Sequence, residues 1–427
     1  MTIVRILVLA ALLPSAPAVA QSDPVAESRA HYRAAVRAYE AHDLPGFLEH
    51  ARAAQARRPA HGGVIYALAS ALALNGDAAG ALAALGHFAS LGYSADVAAD
   101  SDFAGLRNDE AYAELARRLE HNRVPIVASG VAFELPQRDL LVEGIAHDPR
   151  EDVFYVGSVR QAKIFRVTRA GDVTEFAPLL PGGWAPLGLK VDGKGNALWV
   201  ATAALAQTAG HTAADSGRSA ILRFDLRSDS PARRYLVPSD GNPHLIGDLV
   251  VSRGGDIYAT DSRAPVLYRL RAGGDSLERF LESPLLLSAQ GLAFTPDERT
   301  LYVADYARGI LRVDPARRSV SLMETADSVL ALGVDGLYFH RGGLVGIQNG
   351  VTPHRVVRFM LDPGGDRLLG MRTLERAHPG YHEPTLGVVA NDHLYYIGNS
   401  QWDRFGEDGR IASPESLEPT VVLRLPL

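Results

Sequence analysis

Six copies of one strand–turn–strand pattern beyond residue 131, glycine-rich turns between them, and an Ala/Leu/Arg/Glu-rich stretch ahead of them predict a mainly β chain. The fold class is a six-bladed β-propeller with an N-terminal α-helical region. Glycine accounts for 41 of the 427 residues, as many short strands joined by tight turns require. Hydrophobic residues at 47% and charged residues at 22% describe a chain that folds around a core. A net charge of −6 without a basic stripe argues against a nucleic-acid partner. The cysteine count of 0 removes disulfides, thiolate nucleophiles and Cys-based metal sites. The sequence has no phosphate-binding loop, no H-E-x-x-H and no nucleophile elbow.

Residues 1–20 read as a secretory signal peptide. Arg5 precedes an apolar run, and Ala18-Val19-Ala20 supplies the small-residue cleavage pattern, with cleavage expected near Ala20. The run is short for a membrane span and is broken by Pro14 and Pro17. The expectation is an exported protein, periplasmic or secreted, with no membrane span in its mature form.

Residues 23–122 have helix composition, rich in Ala, Leu, Arg and Glu and poor in β-branched residues. Asp43-Leu44-Pro45-Gly46-Phe47-Leu48 aligns with Asp77-Ala78-Ala79-Gly80-Ala81-Leu82 at a spacing of 34, and Pro59 falls where a second helix would end. This spacing resembles the tetratricopeptide repeat, two antiparallel helices per unit, although the Trp of that pattern is absent. About two units are visible, followed by a helix near Asp109–His121. Such a region either presents a face to a protein partner or caps the next domain.

Near Val124-Pro125 the composition turns to β-branched and aromatic runs. Six segments stack, starting at Glu143, Leu187, Gly247, Gln290, Asp335 and Leu386, with starts 44, 60, 43, 45 and 51 residues apart. Third strands follow in KIFRVT, AILRFDL, VLYRLR, ILRVDP, RVVRFML and TVVLRLPL. Fourth strands follow in VTEFAP, RRYLVP, LERFLE, SVSLME and RLLGMRTLE. The sixth unit ends on its third strand. Its missing fourth strand is expected from Val131–Leu135, which would close the propeller over 131–427 and remove the sheet edge.

First strands line a propeller's channel, so the six starting residues converge at its mouth. The segments LVEGIAHD, AQGLAFTPDERTLYVAD and GVDGLYFHRGGL resemble the SMP-30/gluconolactonase family, whose pattern overlaps with strictosidine-synthase-like and paraoxonase-like propellers. The resemblance implies one divalent cation at the channel mouth. Glu143 and Asp335 match two of its ligands; Gln290 stands where the family has Asn, and Gly247 stands where a substrate-contacting Asn is expected. Oxygen ligands of this kind suit Ca²⁺. The implied activity is hydrolysis of a lactone or small ester, with Asp248 as general base. Unpaired carboxylates at an apolar mouth also require a partner on physical grounds alone.

Two long connections, Ala203–Ser219 and Gln401–Glu418, are expected as lids, carrying His211, Asp215, Trp402 and Asp403. Of these, His211 and Trp402, together with His354, are the substrate-facing candidates. Asp261, Asp305 and Asn399 are expected to serve turns. His382-Glu383 either reaches the axis or is structural. Two rival readings stay open: a non-catalytic propeller that binds a small molecule or a protein, and a metal-free propeller enzyme whose axial carboxylate acts alone as base.

Overall fold

The computed structural model describes residues 23–178, 183–193, 196–228 and 232–427. The leader expected at 1–20 lies outside the described residues.

The helical region comprises α1 (Pro24–Glu40), α2 (Leu44–Arg57), α3 (Gly62–Leu74), α4 (Ala78–Ser90), a 3₁₀ turn at Ser101–Leu106 and α5 (Glu110–Arg123). The two Asp residues of the repeated hexapeptide do the same work. Asp43 caps α2 by accepting from Gly46 N at 3.0 Å, and Asp77 caps α4 by accepting from Gly80 N at 2.9 Å. Asp109 caps α5 in the same manner.

Beyond it, strands form six sheets around an axis. The first strands of the six blades are Val142–Asp148, Ala185–Asp192, Ile246–Val251, Ala289–Phe294, Val334–His340 and Gly387–Ala390. The sixth sheet closes as expected: Gly130–Leu135 pairs with Thr420–Pro426, Leu135 opposite Thr420 and Val131 opposite Leu423. One outer strand differs from its sequence reading. SVSLME divides, Ser319–Leu322 staying in blade four and Glu324–Thr325 pairing in parallel with the outer strand of blade five. Met323 marks the division, because its side chain is buried in the core between those blades.

The recurring glycine step has a structural cause. In blades one to five the register of the first strand shifts at the mouth residue and its successor. These are β-bulges, which re-aim side chains. In four of those five blades the successor is glycine, and three of them, Gly144, Gly188 and Gly291, abut the neighbouring blade's backbone. A Cβ on Gly291, for example, would lie 2.5 Å from Asp335 O. Blade three inverts the order, with Gly247 first and Asp248 second.

The helical region sits on blades four and five. Leu330 and Val351 share a core with α3 and α4. The Arg355 guanidinium, 2% exposed, donates to Gln348 Oε1 at 2.7 Å and to Leu91 O at 3.1 Å. Ser94 N donates to Thr352 O, and Arg376 Nη2 to His121 O. Among the described residues no helix is long and apolar enough to cross a membrane.

Candidate active site at the channel mouth

The bulged first strands bring Glu143, Leu187, Gly247, Asp248, Gln290 and Leu386 around a cavity of about 90 Å³, roofed in part by Trp402. Blade six is tied to blade one here, since Leu386 N and Thr385 Oγ1 both donate to Glu143 O. The carboxylate of Glu143 is buried, and Trp402 Nε1 donates to its Oε2 at 2.6 Å. Burial pushes its pKa well above the carboxylate range, the charge of Asp335 pushes it further, and the Trp402 donor opposes both. Asp335 accepts from Asn349 Nδ2 at 2.8 Å, and Asn349 Oδ1 in turn accepts from Tyr306 Oη at 3.0 Å. Burial raises Asp335 to about 7 against the Asn349 donor, and Asp248 and Glu383 add their fields.

Deeper in the channel lies Asp248, 1% exposed. Its one close charge is Lys190 Nζ, 3.4 Å from Oδ1. Neither carboxylate oxygen accepts a well-formed hydrogen bond among the described residues. Burial raises its pKa and Lys190 opposes that rise. Lys190 also stands 5.8 Å from the ring centre of Tyr338. The Tyr338 hydroxyl accepts from Gly387 N and is held protonated, first by burial and then by the field of Asp248.

Gln290 lines the mouth cavity, where its Oε1 accepts from Ser262 Oγ at 3.3 Å. A Cβ on Gly247 would lie 3.6 Å from the same oxygen, so the long amide leans toward the space beside Gly247.

Trp402 is the lid residue that reaches the mouth. The two long connections pack on each other, with Arg160 Nη1 donating to both Gln207 O and Gly409 O. Leu205, Phe405 and Leu417 from these connections share a core with Leu141, Ala185 and Leu187 at the mouth. His211 is not at the mouth cavity: its ring meets Ser216 Oγ, 3.1 Å away in the same loop. His354 lies on blade five, apart from the cavity, with its pKa lowered by burial and then by His382. Asp261 accepts from Leu245, Arg263 and Ala264 backbone N–H groups, and Asp305 from four others. Asn399 bonds Pro419 O and Val421 N. Asp261 and Asp305 serve turns, and Asp261 also meets the His244 ring at 2.7 Å, whereas Asn399 ties its loop to distant backbone beside the last strand. Glu383 reaches the axis electrostatically, for its charge raises both Glu143 and Asp335.

Lys190 and Tyr338 were not singled out from sequence. Both stand three residues after a mouth residue, where the other units carry Ala146, Val250, Ala293 and Val389. A Lys and a Tyr among small or apolar residues are the available signal.

The donor set bears on the implied cation. Among the described residues no three Asp, Glu or His side chains form a group that could hold a metal. A cation here would rest on Glu143 and Asp335 with neutral oxygens completing its shell. Carboxylates whose pKa values are raised by burial and by neighbouring acids are the situation such an ion relieves, and all-oxygen ligation suits a hard ion.

No protein-family model matches the chain. No curated protein matches it. Among solved structures, a gluconolactonase from Xanthomonas campestris is 19% identical, with a TM-score of 0.48, covering 71% of this chain and 97% of its own. A luciferin-regenerating enzyme is 16% identical, with a TM-score of 0.47, covering 71% and 96%. A PQQ-bound aldose sugar dehydrogenase from Streptomyces coelicolor is 14% identical, with a TM-score of 0.47, covering 71% and 99%. Function is argued from the site.

Proposed function

We propose that the protein hydrolyses a lactone or similar small ester at the channel mouth, after export. The observation that carries this reading is the convergence of Glu143, Asp335 and Asp248 on one side of the propeller, where Asp248 is buried with Lys190 at 3.4 Å and no well-formed hydrogen bond among the described residues. Buried acceptors without donors call for water, substrate or a cation. A divalent cation, Ca²⁺ before others, would be held by Glu143 and Asp335, with Gln290 as the weaker ligand. When bound it supplies Lewis acidity toward a carbonyl oxygen.

The chain's own residues account for the proton. Asp248 takes a proton from water as the water oxygen bonds to the carbonyl carbon. The ring or ester C–O bond breaks, and the proton passes to the leaving oxygen. Lys190 opposes the effect of burial on Asp248 and favours its ionised form. The Trp402 indole holds Glu143 Oε2 in place, and the packed loops exclude bulk water.

A second reading, a non-catalytic propeller that binds a small ligand, is favoured by the small cavity at the mouth, about 90 Å³. That is below the roughly 300–1,000 Å³ of ordinary ligand pockets. The experiment measures divalent metal in the purified protein by mass spectrometry, and hydrolysis across a panel of lactones. Hydrolysis that falls about 100-fold or more in Asp248→Asn, with the fold intact, supports the enzyme. No hydrolysis by the wild type with or without added Ca²⁺ supports the second reading.

A further inference from the structure

A cavity of about 990 Å³ lies between the helical region and the propeller. Its walls are held rigidly together. Arg58 Nη2 donates to Ala307 O at 3.0 Å, and Arg308 pairs with Asp23 at 2.8 Å. Residues of α1 to α4 line one side of this space, and Tyr306, Leu332 and Val351 of the propeller supply the opposing wall. The cleft stays open to solvent at Arg29 and Arg33, and its volume admits a small molecule.

The lining is unbalanced in charge. Arg29 and Arg33 stand one turn apart on α1, and Arg58 closes α2; all three line the cavity. Like charges four apart on a helix repel. Neither Arg29 nor Arg33 makes an ion pair or hydrogen bond among the described residues. The two acids that line the cavity form no ion pair with them among the described residues and take neutral donors instead. Asp100 accepts from Tyr66 Oη at 2.6 Å, and Asp102 from Tyr39 Oη at 2.9 Å and from Ser70. The crowding is felt by the neighbours. Burial and then the charge of Arg29 lower Arg58, and burial, Arg58 and Arg29 bring His61 down to about 4, leaving it neutral.

The rest of the surface is aromatic, with Tyr32, Phe47, Tyr66 and Phe88 on the helical side and Tyr306 on the propeller. We propose that this cavity binds an organic anion, a carboxylate on a broad apolar or aromatic body, with the carboxylate received by Arg29 and Arg33 and backed by Arg58. Guanidinium pairs take carboxylates through paired hydrogen bonds, and the volume suits a ligand of this size. The site is distinct from the channel mouth and stands whether or not the mouth is catalytic. Tyr306 is shared between them, since its hydroxyl donates to Asn349, which donates to Asp335.

The test is calorimetric titration of the whole mature protein with 1-naphthoate and with its neutral counterpart 1-naphthamide. The expected result is saturable naphthoate binding, at least tenfold tighter than the amide. Arg29→Ala/Arg33→Ala, at two exposed positions, should bring naphthoate down to the amide's affinity while leaving the amide's affinity and the melting temperature unchanged. In the wild type, naphthoate should also raise the His61 titration seen by NMR. Absence of saturable naphthoate binding at millimolar concentration overturns the proposal. So does equal affinity for the two probes, or naphthoate binding that the double variant leaves intact.

Discussion

The carboxylate of Asp248 fills the space that the absent side chain of Gly188 leaves. A Cβ on Gly188 would come 2.7 Å from Asp248 Cα and closer still to Oδ1. The glycine step of blade two and the inverted order of blade three are therefore complementary. Asp248 enters the channel only because its neighbour has no side chain.

Gly188→Ala is expected to displace Asp248 from Lys190. Overpacking of this kind costs about 1–3 kcal/mol, so the variant should fold with lowered stability and lose most hydrolysis. Denaturant unfolding and lactone turnover, measured side by side, check this; wild-type activity in the variant would remove Asp248 from the site.

Trp402→Phe deletes the donor to Glu143 while keeping an aromatic roof. A lost hydrogen bond to a buried charged group amounts to about 1.5–3 kcal/mol. Because that donor opposes the rise of the Glu143 pKa, its loss raises the pKa further. The acid limb of the pH–rate profile should move to higher pH, and an unmoved limb would contradict the role given to the indole.

Asp335 carries a stability signature of unusual sign. Its ordinary value is 3.8 and its folded value about 7. Between those values the folded chain holds a proton that the unfolded chain has released. Stability from this group is full below the lower value and is lost as pH rises through about 7. In the presence of chelator, the wild type should lose melting temperature from pH 5 to pH 8 by several degrees more than Asp335→Asn. Parallel losses would show that burial does not perturb this group.

Asp43→Ala and Asp77→Ala should behave alike, since each removes the same cap from an equivalent helix. Each is expected to cost about 1 kcal/mol, read by thermal unfolding. A large difference between them would break the structural equivalence of the two hexapeptides.

Periodicity made the architecture legible. Six stacked units and an unpaired Val131–Leu135 specified both the blade count and its closure, because strand spacing and edge pairing are local and repetitive. Glu143 and Asp335 were legible as candidates for the same reason, since equivalent positions in a repeat face the axis, and the charge of Asp335 is felt at Glu143. Which side chains act on them was not. Lys190 reaches Asp248 across blades, Gln290 leans toward Gly247, and Trp402 arrives from a loop more than 250 residues beyond Glu143 in the chain. No periodicity encodes those meetings, since each depends on where a bulge aims a side chain and how two irregular loops pack. The charged cavity between helices and propeller belongs to the same class. Its arginines were visible in the sequence as an ordinary helix surface, and only the docking of α1 to α4 on blades four and five set a second wall beside them. The sequence by itself determined the repeat, its closure and the acids at the mouth; tertiary packing alone decided their partners, because burial and distance, not residue type, set what a charged group does.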